Sequence, residues 1–388
     1  MAGIRVTRIG RVSQVALHPK SICLTKELFR GGDARWPEDG EYAFADTFLA
    51  DVVAQGIAPL IWYRLSKEGT PHWPEQVLSG LRDIATQAVA TELVRTSEVR
   101  AVLRGLGNRG VDPLLIKGTP LAHTLYPESA LRTRCDTDLL IPQSHCRAAF
   151  ELLESLGYHG TYDAAAGDIN AQVCFVRQGR RAPGTAFDIH WRLSNASKSF
   201  SDQMAHGDLR QRGVAVPALG EHARALGTVD ALLFACFHRA GHYAYEGDRL
   251  IWLYDIHLLM QALSVEQAED FVRRARSLGI GAICADALAT ARGWFATSLQ
   301  GAVEEFTKDP PRGEDTLRLL EDGRMRGLNA RVRMDLKAAS GLRARLKILW
   351  GQAFPPPRYM AWRYEDPRVS RLPRLYLKRF IEGVRVLF

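Results

Sequence analysis

The chain has 388 residues, of which 46% are hydrophobic and 24% charged, and a net charge of +8. This is the length and composition of a globular protein with more than one packed unit, not of a disordered or fibrous chain. No apolar run reaches the roughly 18 residues of a membrane span, Met1–Lys20 lacks the apolar core of a secretory signal, and six scattered cysteines without a Cys-x-x-Cys pair argue against structural zinc and fit a reducing cytoplasm.

Residues 1–45 carry few helix-length patterns and read as an N-terminal arm with one helix near Lys20–Phe29. Phe44, Phe48, Val52, Ile57, Leu60, Ile61 and Leu65 lie near helical spacing, interrupted at Gly56 and Pro59. Apolar positions from Val77 to Leu106, among them Leu81, Ile84, Val89, Leu93, Val99, Val102 and Leu103, predict one long amphipathic helix over 75–106. Together these make an N-terminal part, residues 1–110. Between 111 and 195, strands are predicted at Leu114–Ile116, Thr137–Ile141, near Tyr158–Tyr162, at Gln172–Arg177 and at Ala186–Arg192, with a helix over Ser144–Leu156. Gly179–Gly184 reads as a hairpin-like connection. Sheet and flanking helices in this order give a small α/β core.

From Gly220 onward the pattern is helical, so 196–388 reads as a mainly helical domain. Helices are predicted over 230–245 and 249–263, twice around Gly279, near Glu314–Leu320 and finally over Pro373–Phe388. The basic excess is late, at Arg324, Arg326, Arg331, Arg333, Lys337, Arg343, Arg345 and Lys347, then from Arg358 to Arg385. Such an excess attracts nucleotides, nucleic acid, acidic carriers or anionic lipid without choosing among them. The run from Leu372 to Phe388 is amphipathic and basic; packing on the helical domain is the preferred reading, and contact with an anionic membrane surface the alternative.

Chemistry concentrates in Arg132-Thr133-Arg134-Cys135-Asp136-Thr137-Asp138-Leu139-Leu140-Ile141. Alternate strand residues share a face, so Asp136 and Asp138 are expected to project together. Asp188, within Phe187-Asp188-Ile189-His190-Trp191, brings a third carboxylate from a neighbouring strand. Three carboxylates on a rigid sheet suit two hard cations, the arrangement used for in-line displacement at phosphorus. Upstream, Leu114-Leu115-Ile116-Lys117-Gly118-Thr119-Pro120 reads as a strand, a tight turn at Gly118 and a helix capped by Thr119 with Pro120 at its first position. The helix start and Lys117 offer donors to phosphate. Arg132 can neutralise triphosphate charge or bridge to a metal carboxylate. His190 faces the same side as Asp188, as a metal ligand, a phosphate donor or a packed histidine. His238 and His242 lie one helical turn apart with Asp255 further on, and a polar contact is preferred there over a metal site. Arg249 and Asp255 pair with each other or help hold nucleotide or acceptor.

The order of these pieces resembles the bacterial uncharacterised nucleotidyltransferase family of the DNA polymerase beta-like superfamily. The matching pieces are Leu115-Ile116-Lys117-Gly118, Leu125-Tyr126-Pro127, Arg132, Asp136-Thr137-Asp138-Leu139-Leu140, Leu156-Gly157-Tyr158 and Asp188-Ile189-His190-Trp191. Later matches are Cys236-Phe237-His238, Trp252-Leu253-Tyr254-Asp255 and Phe354-Pro355-Pro356-Pro357 with Tyr359 and Arg363-Tyr364. Arg134-Cys135 departs from the family's smaller, glycine-containing turn. The resemblance implies an α/β nucleotidyltransferase core, a small mixed sheet with flanking helices, plus a C-terminal mainly helical domain. It implies a catalytic and metal-binding triad of Asp136, Asp138 and Asp188 with two Mg²⁺ ions, or Mn²⁺ in their place. Lys117, Gly118, Thr119 and Arg132 are expected at the nucleoside triphosphate, and His190, His238, Arg249 and Asp255 at the acceptor. The acceptor, whether a small molecule, sugar phosphate or peptide, is not fixed by the fold. Nucleic acid is a less favoured acceptor, and a catalytically inactive nucleotide-binding module is the alternative.

Overall fold

The computed structural model describes residues 17–37, 41–68, 73–160, 171–177, 185–194, 197–299, 301–320, 332, 335–337 and 339, and most positions between 341 and 387. The chain's first sixteen residues, the Gly179–Gly184 connection and Arg324, Arg326, Arg331 and Arg333 lie outside them. Helices α1 (Pro19–Arg30), α2 (Glu41–Ala54), α3 (Ala58–Glu68) and α4 (Glu75–Gly107) come first. Then follow β1 (Leu114–Ile116), α5 (Gly118–Thr124), β2 (Thr137–Leu140), α6 (Cys146–Ser155), β3 (His159–Gly160), β4 (Gln172–Arg177) and β5 (Thr185–His190). Two short helices, α7 (Lys198–Gln203) and α8 (His206–Gln211), lead to β6 (Val214–Ala215) and β7 (Arg224–Ala225). The rest is helical: α9 (Thr228–Glu246), α10 (Leu250–Gln261), α11 (Val265–Ser277), α12 (Gly281–Phe295), α13 (Gly301–Lys308), and the helices Leu342–Ala353 and Leu372–Leu387.

The strands form one mixed sheet in the order β3-β4-β5-β2-β1-β7-β6. The pairs β2–β5 and β1–β7 are parallel and the others antiparallel. The sheet therefore extends past residue 195, because β7 pairs with β1 through Leu115 and Ala225. These two-residue strands have no length in which a period-two pattern can be read, and they did not stand out in the sequence.

Alternation along the strands divides the apolar residues between two cores. Leu115, Leu139, Ile141, Val173, Phe175, Phe187 and Ile189 pack on one face with α6 and the last turns of α4. Leu114, Ile116 and Leu140 face the other way, into a core shared with α1, α2, α3, α9, α10 and α12. The N-terminal helices and helices α9–α13 thus share one core: Phe29 of α1 meets Phe295 of α12 edge to face at 5.2 Å. Helix α4 serves both cores, with Val77 and Leu81 in one and Val99, Val102, Leu103 and Leu106 in the other.

Several expectations change in detail. In α4 the expected apolar positions Val89 and Leu93 are exposed, and Glu92 and Arg95 take the buried stripe instead. They do so because each has a buried ionic partner there, as described below. The segment Asp315–Leu320 is a 3-10 helix rather than an α-helix. Helix α5 begins at Gly118, with Lys117 as its cap, so Thr119 and Pro120 fall at its second and third positions. No described helix is both long and apolar enough to cross a membrane.

Because α4 ties the cores together, Leu81→Ala and Leu103→Ala should each cost about 2–5 kcal/mol, the range for deleting a buried leucine side chain. Both should shift a single shared urea transition; two separated transitions in either variant would show that the cores unfold independently.

Candidate active site

The parallel register of β2 and β5 sets Asp138 opposite Asp188 and Leu140 opposite His190. The period of two then puts Asp138, Asp188 and His190 on one sheet face, together with Leu140. Asp136 lies just before β2, half-buried at the end of the strand rather than within it. Donor atoms of Asp138, Asp188 and His190 all lie within 4.8 Å of one another. His190, rather than Asp136, completes this tightest group. Asp136 lines the same cleft with Asp138 and Asp188.

Lys117 follows β1 directly, where Ile116 pairs with Asp138. Its Nζ lies 2.5 Å from Asp138 Oδ1, and His190 Nε2 lies 2.9 Å from the same oxygen. To place that side chain the backbone at Lys117 adopts φ 59°, ψ −134°. This region is hostile to any residue with a Cβ, and strain of this kind gathers at functional sites. The expected tight turn is therefore made by the lysine, not by Gly118. Gly118 does permit a close approach, but to a side chain: a Cβ there would stand 3.0 Å from Arg132 Cζ.

Arg132 does not point at an open phosphate site. Its Nε donates to Asp255 Oδ1 at 2.8 Å, and its Nη2 to Asp255 Oδ2 at 2.6 Å. Tyr126 Oη donates to Asp255 Oδ1 at 2.7 Å. All three are buried. This fork joins the loop ahead of β2 to helix α10. Asp255 thus pairs with Arg132, while Arg249 lies over the Trp252 ring at 5.4 Å and its Nη2 donates to Ala54 O at 3.4 Å. Thr119 is buried, with its hydroxyl donating to Thr137 Oγ1 at 3.3 Å, and is not among the cleft-lining residues.

A second buried network holds the same loop and was not anticipated. Arg134 Nη2 donates to Glu92 Oε1 at 2.7 Å, and Arg95 Nη2 donates to the carbonyl of Arg134 at 2.8 Å. His123 Nε2 is 3.2 Å from Glu92 Oε1. Burial opposes charge on Glu92, but His123 and Arg134 hold its carboxyl below the usual value. The signal lay in the sequence as two charged residues on the buried stripe of an amphipathic helix. Gln172, at the start of β4, also reaches the site, its Nε2 3.5 Å from Asp188 Oδ2.

The cleft between this sheet face and α9–α10 has a volume of about 1220 Å³. Pockets for one small ligand measure roughly 300–1,000 Å³, so this cleft exceeds the usual size of a single-ligand site. Its far wall carries Phe234, His238, His242, Arg249, Trp252 and Asp255. His238 stacks near His242 at 4.4 Å and meets Trp252 edge-on at 5.0 Å. Burial, then the charges of His242, Lys117 and Arg132, push His238 well below the usual histidine value, so its imidazole is neutral.

The carboxylates differ in charge state. Burial and the neighbouring Asp138 raise Asp136 to about 7, against the pull of Lys117. Burial works against ionised Asp138 as well, but Lys117 and His190 outweigh it and hold Asp138 low. Lys117 in turn stays protonated, because Asp138, Asp136 and Asp188 overcome its desolvation. One carboxylate oxygen has no such relief: Asp188 Oδ1 is buried without a hydrogen-bond partner. An orphaned acceptor of this kind is costly. The donor set of two carboxylates and an imidazole, with an orphaned oxygen among them, fits a divalent cation.

A strand leading through a half-buried lysine into a helix, beside paired aspartates on adjacent strands, is thus the centre of the cleft. The chain belongs to the uncharacterised nucleotidyltransferase family, whose model matches residues 44–296, from α2 through α12. No curated relative matches the sequence.

Two outcomes follow from the ionisation pattern. Asp136 binds its proton more tightly folded than unfolded, so stability falls as pH rises from its ordinary 3.8 toward about 7. Asp136→Asn should therefore raise the melting temperature of metal-free protein above pH 7, with the gain shrinking well below that pH; a gain independent of pH would contradict the raised value. Asp255→Ala strands Arg132 and Tyr126 and should cost about 3–5 kcal/mol in urea denaturation, whereas Arg249→Ala should cost far less.

Proposed function

We propose that this protein transfers a nucleoside monophosphate from a nucleoside triphosphate to an acceptor bound in the cleft, the acceptor oxygen bonding the α-phosphorus as pyrophosphate leaves, with Asp136, Asp138 and Asp188 holding two Mg²⁺ ions. Mn²⁺ suits the same oxygen donors. The observation that carries the reading is the Asp138–Asp188–His190 donor group with the orphaned Asp188 oxygen. Divalent cations at such carboxylates neutralise charge at the α-phosphate and ease ionisation of the acceptor hydroxyl.

The chain's own residues divide the remaining work. Lys117 is the mobile cation of the site: released from Asp138, its ammonium meets the triphosphate. The backbone N–H groups of Gly118 and Thr119 open the helix beside it and point donors at phosphate. Arg132 acts from its fixed place on Asp255, adding positive field behind the phosphates while setting the loop that carries Asp136. Asp188 receives the acceptor's proton. His238, Arg249 and Asp255 form the acceptor side, where a neutral His238 both accepts and donates hydrogen bonds to a hydroxyl, while His190, expected there too, stays with Asp138 in the donor group. We assign the nucleotide to the sheet unit and the acceptor to the wall made by α9 and α10.

Asp138→Ala and Asp188→Ala should each lower transfer more than roughly a hundredfold, the rate equivalent of losing a charge-assisted contact of about 3 kcal/mol. Transfer is read as Mg²⁺-dependent consumption of nucleoside triphosphate, with product masses from a pooled acceptor set. Full activity in either variant would end the two-metal reading, and metal-independent turnover would end it as well. Lys117→Ala should weaken nucleotide binding about tenfold to a hundredfold by calorimetry, with His238→Ala leaving it unchanged.

A further inference from the structure

The helix Leu342–Ala353 turns its large apolar side chains outward. Leu342, Leu346, Leu349 and Trp350 are exposed, and so is Phe354 just beyond it, Leu342 at 74% and Trp350 at 66%. Spacings of three and four place them on one stripe of the helix. The half-buried positions Ala344, Ile348 and Gly351 lie on the other side, so of the large apolar side chains only Ile348 faces inward. Arg343, Arg345 and Lys347 flank the apolar stripe. The helix Leu372–Leu387 repeats the pattern: Leu375 is buried, while Leu377, Phe380 and Ile381 are exposed at spacings of three and one. The two helices adjoin, since Tyr376 Oη donates to Pro355 O at 2.5 Å and the Phe354 and Tyr376 rings lie 6.2 Å apart.

Charge points to what covers this face. Residues 341–388 hold eleven Lys and Arg against three Asp and Glu, a net +8 that equals that of the whole chain. The first 340 residues are balanced. We propose that the two adjoining helices dock on an anionic phospholipid bilayer, with the leucines, Trp350 and Phe380 at the acyl boundary and the arginines at headgroup phosphates. Apolar anchors flanked by basic residues are what such an interface binds. A nucleic acid would satisfy the arginines but leave the exposed leucines in water. A second copy would set one basic face against another. The proposal rests on a surface separate from the cleft and does not depend on the transfer chemistry.

The test is flotation of the full chain with vesicles of equal parts phosphatidylcholine and phosphatidylglycerol, compared with phosphatidylcholine alone, at low and high salt. The wild type should float with the anionic vesicles and be released by salt. Arg343→Gln with Arg345→Gln should weaken binding by roughly tenfold or more, since each basic residue near an anionic surface contributes about fivefold. Leu346→Glu with Trp350→Glu should abolish binding while melting temperature and nucleoside triphosphate binding stay at wild-type values. If that variant melts early, Leu346→Ser with Trp350→Ser takes its place. The proposal is overturned by wild type that ignores vesicles or binds neutral ones equally, or by apolar variants that bind as wild type does. Self-association or RNA binding that the apolar variants lose, without any vesicle binding, overturns it in favour of those occupants.

Discussion

Carboxylates set opposite each other on neighbouring parallel strands repel, and the centre of this protein is arranged around that repulsion. The register of β2 and β5 leaves no freedom in the matter, because the hydrogen-bond ladder that pairs Leu139 with Ile189 also pairs Asp138 with Asp188. Each feature nearby answers the same demand. Lys117 accepts a backbone conformation that suits glycine in order to reach Asp138. His190 joins it on the same oxygen. Asp136, placed outside the strand, holds its proton to about 7. The cluster is thus held in check by one lysine and one histidine, and its remaining discomfort is localised at Asp188.

The second organising element is the buried fork between Arg132 and Asp255. Arginine suits it better than lysine because its planar donors match both carboxylate oxygens at once. Gly118 is small so that the guanidinium can lie against the start of α5. Loop, helix start and α10 are therefore registered against one another through a single side chain. Gly56 adds to this: with φ 73° it turns α2 into α3, its carbonyl accepts from Thr133 Oγ1, and a Cβ there would collide with Thr133 and Ile251.

Much of this was legible in the sequence. The strands at Leu114–Ile116 and Gln172–Arg177 read correctly because each is a continuous buried or alternating run with clear bounds. The shared face of Asp138, Asp188 and His190 was legible because period-two geometry places side chains from spacing alone, whereas Asp136 falls just ahead of the strand. Pairing across the chain was not legible. Asp255 is 123 residues from Arg132, and no local pattern connects them. Glu92 and Arg95 were hidden behind Val89 and Leu93, since a hydrophobic count ranks a valine above a charged residue whose partner it cannot see. The turn at Lys117 was misplaced for the same reason: glycine is the default for that backbone, and only the pull of Asp138 explains a lysine there.

Helix α4 is 33 residues long, roughly 50 Å at the usual rise, and contains no proline. It is a strut embedded in both cores; Arg134 ties the loop ahead of β2 to it through Glu92, and Arg132 ties the same loop to α10 through Asp255. Opening or closing the two walls as a jaw would require bending that strut and parting a buried ion pair. The cleft is therefore a gauge of fixed bore. Under the proposed function, ligands would be selected by whether they fit a gap that exists before they arrive, with little of their binding energy diverted into moving domains.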